Sequence, residues 1–219
     1  MGFLRRLFEN DKTRNMKMHS VSSELNLKFT DKNDTGMHQQ LSEFKLFDFG
    51  ASRKITNVMT ESMLNSENHV LDYEYVVSTG KSSKIFKQTV LFINSKELSL
   101  PQFYQKPENI LTKFLALLGF DDIDFAKFPE YSDKYNLKGE YEEVIRYYFS
   151  KEVLDILSTQ KDLYMEGMNY YLILYQQDKL CPPEQLKSFR NLGLMLYKLF
   201  LLRSKNADGA DGKDLRGLI

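Results

Sequence analysis

Several things are scarce in this chain, and two of these scarcities exclude a class of protein. The single cysteine, Cys181, excludes an internal disulfide and a cysteine-based metal cluster. Tryptophan is absent, and none of the five prolines occurs before Pro101. No stretch reaches the roughly 18–20 apolar residues of a membrane span, and no secretory signal is visible. We therefore expect a cytoplasmic protein.

The formal net charge is zero, because 30 basic residues balance 30 acidic ones. Such a chain has no global field that attracts nucleic acid, and its aromatic residues are not interleaved with a basic stripe. We expect no nucleic-acid partner. Residues 1–20 carry a local basic excess, which allows peripheral membrane contact through the N-terminus. The alternative is a flexible basic end, and we predict a largely flexible segment over residues 1–42.

The chain is organised around residues 70–94, which read as a β-hairpin. Apolar and polar residues alternate over 71–78, the pattern of a strand with one buried face. The stretch 85–93 is apolar on both faces, which is typical of a strand inside a sheet. The turn between them contains Gly80-Lys81-Ser82, which lacks the first glycine and the following helix of a phosphate-binding loop.

The rest of the chain separates strands from helices. A short strand over 98–104 contains Pro101, which predicts an edge position because proline cannot donate to the ladder. Residues 163–175 indicate a second hairpin with its turn at 166–169. Residues 53–63 fit either a strand or a short helix.

Helical spacing of apolar residues predicts helices at 107–118, 140–149, 153–157 and 183–203. Segregated strands and helices indicate an α+β fold. We predict an antiparallel sheet of two hairpins plus an edge strand, packed with three to four helices. The predicted organisation is one domain over residues 43–205, followed by a disordered tail over 206–219.

Acidic residues cluster at the end of the first predicted helix, at Asp121, Asp122 and Asp124. Grouped carboxylates bind divalent cations or share a proton, so a metal-dependent hydrolase is one hypothesis. No other ligand type lies nearby in sequence, and the three histidines lack a partner at helical metal-site spacing. We therefore predict no catalytic residue, no metal site and no cofactor, and leave catalytic activity open.

The last helix is apolar on two faces. One stripe contains Leu186, Leu196, Tyr197 and Phe200, and a second stripe lies on another face of the helix. The second stripe is the candidate interface: Leu192, Met195, Leu199 and Leu202. A helix that is apolar nearly all round is either internal to its domain or shared with a partner.

Short motifs are spread over residues 44–203, and together they resemble an uncharacterised family of bacterial proteins. The residues that carry the resemblance are Asn57, Asp72-Tyr73-Glu74-Tyr75, Gln88-Thr89-Val90, Leu100-Pro101-Gln102-Phe103, Pro107-Glu108, Asp122-Ile123-Asp124-Phe125, Ser132, Tyr135, Leu137, Gly139 and Glu166-Gly167. In many members this soluble domain accompanies transmembrane segments. Members often have a glycine soon after the position of Asn57, where this chain has Val58-Met59-Thr60-Glu61. The resemblance implies an α+β domain and no established activity.

Three functional hypotheses follow from these observations. The first is a non-catalytic protein-interaction or self-association module, indicated by the apolar last helix. The second is a small-molecule or lipid-binding domain with a cleft between sheet and helices. The third is the hydrolase that uses the aspartate cluster. For the first, the expected partner is an unknown protein or a second copy of the chain.

Overall fold

A computed structural model describes residues 2–32, 35–78, 80, 82–108 and 122–209 of the chain. Within these residues the backbone forms seven α-helices and eight β-strands. In chain order they are α1 (Gly2–Glu24), β1 (Lys28–Lys32), α2 (Thr35–Leu41), α3 (Lys45–Asp48), β2 (Ala51–Ser62), β3 (Ser66–Ser78), β4 (Ser83–Ser95), β5 (Leu100–Pro107), α4 (Pro129–Ser132), β6 (Tyr135–Gly139), α5 (Glu142–Tyr148), α6 (Lys151–Ser158), β7 (Tyr164–Asn169), β8 (Tyr171–Tyr175) and α7 (Leu186–Gly209). A 3-10 turn at Pro183–Gln185 precedes α7.

The eight strands form one antiparallel sheet in the order β1-β2-β3-β4-β8-β7-β5-β6. The α+β class and the antiparallel sheet are confirmed, and so are the hairpin of β3 and β4 and the interior position of β4. The described residues contain more strands and more helices than the predicted two hairpins, one edge strand and three to four helices. Residues 53–62 belong to β2, so the stretch that fitted either a strand or a short helix is a strand. The short strands β1 and β6 have too few residues for a clear alternation.

The predicted edge position of the Pro101 strand is wrong, because β5 lies between β7 and β6. The pairing of β5 with β7 shifts register between Leu100 and Phe103, and the pairing with β6 begins at Phe103. Pro101 therefore falls in an irregular stretch where its missing N–H breaks no regular ladder. Pro107 ends this strand, and most of the helix predicted at 107–118 lies outside the described residues.

The predicted turn of the second hairpin is also wrong. Glu166 and Gly167 belong to β7, where they pair with Ile173 and Leu172 of β8. The chain reverses around Asn169, which has a left-handed φ of 49°. Asparagine tolerates this conformation better than most residues, so the reversal needs no glycine.

The chain divides into two compact units: Met1–Phe92 with Gln176–Leu192, and Ile93–Tyr175 with Gly193–Ile219. The predicted domain limits at residues 43 and 205 stay predictions. In the segment predicted to be flexible, 1–42, the structure has α1, β1 and α2. The predicted tail, 206–219, contributes its first four residues to α7, and the remainder lies outside the described residues.

The first unit packs aromatic residues against one face of its strands. Tyr73 and Tyr75 of β3 are buried, and the Tyr73 ring lies 4.2 Å from that of Phe47 on α3, centroid to centroid. Tyr75 stacks on Phe86 of β4 at 5.1 Å. The aromatic residues of the alternating pattern thus form the core on one face, and the polar residues between them face the other way.

The second unit has a core of aromatic rings. Phe149, which follows α5, packs edge-on against Phe103 of β5 at 5.1 Å and lies 5.7 Å from Phe200 of α7. Gly167 permits this packing, because a Cβ at that position would stand 2.3 Å from the Phe103 ring. Within the described residues, no helix is long and apolar enough to cross a membrane.

Candidate functional site

A buried carboxylate, Asp72 on β3, is the centre of a polar cluster in the first unit. The Arg14 guanidinium of α1 binds it with two parallel hydrogen bonds: Nε donates to Oδ2 at 2.7 Å, and Nη2 donates to Oδ1 at 2.8 Å. The exposed fractions of the two side chains are 14% for Arg14 and 8% for Asp72. This fork geometry is the strongest pairing that an arginine and a carboxylate make.

Asn57 completes one side of the cluster because the backbone of β2 bends there. Its φ is 52°, and the register of β2 against β3 shifts between Thr56 and Met59. Such a bulge re-aims a side chain, and Asn57 Nδ2 donates to Asp72 Oδ2 at 2.8 Å. Asn15 of α1 in turn donates to Asn57 Oδ1 at 2.9 Å and to Asp31 at 2.8 Å.

Thr89 on β4 completes the other side of the cluster. Its hydroxyl donates to Asp72 Oδ1 at 2.9 Å and accepts from Arg14 Nη2 at 3.0 Å and from the Cys181 backbone N–H at 2.9 Å. Arg14 Nη1 also donates to the Cys181 carbonyl at 3.0 Å. The cluster therefore joins α1, three strands and the chain around Cys181.

The hydrogen bonds of the cluster leave little room for chemistry at Asp72. Each of its carboxylate oxygens accepts two hydrogen bonds from the protein. A carboxylate in this state is a structural anchor, because a reacting proton or a metal ion would have to displace one of its donors. We conclude that the cluster fastens α1 to the sheet.

Sequence reasoning missed Arg14, which was counted within a flexible basic segment. Arg14 and Asp72 are 58 residues apart, and neither stands out in its local pattern. Asn57, Asp72 and Thr89 were among the residues that carry the family resemblance, and the structure brings these three together.

A cleft of about 230 Å³ lies beside the cluster, between α1 and the strands. Lys87 lines it and pairs with Glu74 at 2.8 Å and with Asp11 of α1 at 3.3 Å. These pairs raise the pKa of Lys87 against the opposing effect of its burial. Four carboxylates and three cations line the cleft: Asp11, Asp31, Asp72, Glu74, Arg14, Lys54 and Lys87.

Burial raises the pKa of the Cys181 thiol to about 11, so the thiol is a poor nucleophile at neutral pH. At pH 8 about one native thiol in a thousand is ionised, against about a quarter at an unperturbed pKa near 8.5. We expect iodoacetamide to alkylate Cys181 roughly a hundredfold faster in urea than in the native protein at pH 8. The rate is read by intact mass, and equal rates in the two solvents would contradict a raised pKa.

The aspartate cluster proposed as a metal site has a structural use. Asp122 Oδ1 accepts the Leu137 N–H at 2.8 Å, and the Ile123 N–H donates to the Leu137 carbonyl at 2.8 Å. Residues 122–123 thus cover the outer edge of β6, which would otherwise present unpaired backbone groups. Asp121 lies outside the described residues, and the part of the chain that is described contains no group of three metal-binding side chains.

The two stripes of the last helix differ in exposure. Leu186, Leu196 and Phe200 are fully buried, which assigns their stripe to the core. In the second stripe Met195 is 45% exposed and Leu202 is 56% exposed, while Leu192 and Leu199 are half-buried. Leu192 falls in the first unit and the other three residues in the second. We call Met195, Leu199 and Leu202 the α7 ridge.

Comparison with known proteins reveals a likeness of fold. No protein-family profile and no curated protein matches the sequence. Among solved structures, the crystal structure of the mycobacterial trehalose monomycolate transport factor A is similar, with a TM-score of 0.59 and 9% sequence identity. The match covers 87% of this chain and 94% of that one. At this identity the likeness shows a shared fold and carries no residue roles.

Proposed function

We propose that this chain is a non-catalytic protein-interaction module that self-associates through the α7 ridge. The observation that carries the proposal is the exposure of Met195 and Leu202 on a helix whose opposite face is fully buried. Full burial of an exposed side chain of this size contributes about 1.5–3 kcal/mol, and roughly half of that remains to be gained at each of these half-exposed residues. Association with a partner surface that covers the ridge would therefore be favourable, because it buries apolar area that stays exposed in the isolated chain.

A second copy of the chain suits this ridge for two reasons. The ridge residues are spaced by four and three positions over about 10 Å of helix, a spacing that packs into the grooves of an equivalent helix. A two-fold axis would place the same patch on both sides of the interface. The formal net charge of zero means that two copies do not repel each other at long range.

The double substitution Met195→Glu and Leu202→Glu tests this interface. We expect the wild-type chain to sediment as a dimer and the variant as a monomer, because carboxylates cannot be buried unpaired between two helices. Lys187→Glu is the control, since this exposed α7 residue lies outside the ridge. A variant that keeps the wild-type dissociation constant would overturn the proposal.

Small-molecule or lipid binding is the second candidate, and the cleft beside Asp72 favours it. The structural neighbour is described as a transport factor for trehalose monomycolate, which is compatible with a role for this fold in handling lipid. The cleft has a charged lining, so it suits the polar part of a ligand better than an acyl chain. A thermal-shift screen of polar ligands and lipids tests this candidate separately from the ridge.

A further inference from the structure

We infer that the cleft between α1 and the strands of the first unit binds a neutral polyhydroxylated ligand: a sugar, either free or as the headgroup of a glycolipid. This inference gives a ligand class to the second candidate above and rests on it. The cleft shares no residue with the α7 ridge. The ligand-binding proposal and the self-association proposal can therefore fail independently.

The base of the cleft is rigid. Arg14, Asn57 and Asp72 are fixed by hydrogen bonds to one another, and the main-chain bend at Asn57 holds their geometry. A ligand that enters the cleft therefore meets a surface that is already ordered. Such preorganisation lowers the entropic cost of binding, which matters for a small ligand with few contacts.

Hydrogen-bonding capacity remains at the mouth of the cleft. Within the described part of the chain, the Lys54 ammonium and the Thr56 hydroxyl make no hydrogen bond or ion pair, although both side chains line the cleft. Asp31 accepts from Asn15 through Oδ1, and Glu74 meets Lys87 through Oε2. The site thus offers donors and acceptors side by side.

The mixture of charges selects against ions. Arg14 is already paired with Asp72, and Lys87 is paired with Glu74 and Asp11. An ion in the cleft would therefore have to compete with these pairs, and it would also meet charges of its own sign. A neutral ligand avoids both penalties. A sugar hydroxyl donates one hydrogen bond and accepts others, so neighbouring hydroxyls can donate to Asp31 or Glu74 while they accept from Lys54.

The small size of the cleft favours a ligand of about one sugar ring. Its volume of about 230 Å³ is below the range of roughly 300–1,000 Å³ that is typical for drug-sized ligands. The α1 side of the cleft carries Asp11 and Asn15, and the strand side carries Lys54 and Glu74. A bound ring would therefore contact both, and its binding would protect the backbone amides around Asn15 from hydrogen exchange.

Titration of the full chain with glucose tests the inference, with phosphate and betaine as charged comparators. Binding is read by calorimetry and by amide hydrogen exchange in α1. We expect a sugar to bind, and Lys54→Gln to weaken it about tenfold through loss of a charged hydrogen bond. Lys17→Gln is the matched control, because Lys17 is an exposed α1 lysine that does not line the cleft.

Vesicles of phosphatidylcholine, with and without a monoglucosyl lipid, distinguish the two sources of the sugar. Binding only to the glycolipid vesicles, with the same sensitivity to Lys54→Gln, would support the headgroup form. Binding to plain phosphatidylcholine alone would overturn the inference while it leaves the lipid-binding candidate intact. The inference is also overturned if no sugar binds, if Lys54→Gln changes nothing, or if phosphate or betaine binds more tightly.

Discussion

Replacement of Asp72 by alanine should lower the free energy of unfolding by about 3–5 kcal/mol, because it leaves the largely buried Arg14 guanidinium without its partner. Asn57 and Thr89 would lose an acceptor in the same change. The contacts between α1 and the strands depend on this carboxylate, so amide exchange in α1 should accelerate as well. Urea denaturation followed by circular dichroism measures the first effect.

Glu74→Ala is the matched control for this experiment. Glu74 lies two residues further along β3 and pairs with Lys87, but about a quarter of its side chain is exposed. We expect a cost of less than about 1 kcal/mol, as for other partly exposed ion pairs. In a double-mutant cycle, removal of both Arg14 and Asp72 should cost less than the sum of the two single substitutions. Equal losses for Asp72→Ala and Glu74→Ala would contradict the anchoring role.

Replacement of Phe149 by alanine should destabilise the second unit by a similar amount, about 3–5 kcal/mol. Its ring is 1% exposed and contacts Phe103, Phe125 and Phe200, so truncation leaves a cavity bounded by rigid aromatic side chains. The urea midpoint should fall, and near-ultraviolet circular dichroism should lose intensity as the tyrosine and phenylalanine rings become mobile.

Tyr141→Ala provides the comparison for Phe149. Tyr141 stands immediately before α5, and 46% of it is exposed, so its truncation removes little buried surface. We expect a change within about 0.5 kcal/mol, as is usual for surface substitutions. If the two alanine variants unfolded at the same urea concentration, the aromatic core would not have the role assigned to it.

Local periodicity accounts for the parts of the fold that could be predicted. In residues 71–78 and in α7, the apolar spacing recurs several times within one element. The recurrence indicates which face of the element is buried. Short strands lack this redundancy. β1 and β6 have five residues each and gain their stability from pairing with distant segments, which a local pattern does not record.

The polar cluster could not be predicted for a related reason. Arg14 reaches Asp72 across 58 residues, and the left-handed conformation of Asn57 depends on a bulge that no local signal marks. Asp122 is the converse case. Its dense acidic motif led to the hydrolase hypothesis, which was not the favoured one, and the structure uses its carboxylate to cover a strand edge. Residue type alone did not distinguish an anchor from a reactive group.

The molar mass of the wild-type chain by light scattering on a sizing column is the most direct test of self-association. We expect a molar mass of twice the 25.7 kDa of one chain at micromolar concentration, and a shift toward the single-chain mass on dilution. A mass of 25.7 kDa that does not change with concentration would contradict a self-associating α7 ridge.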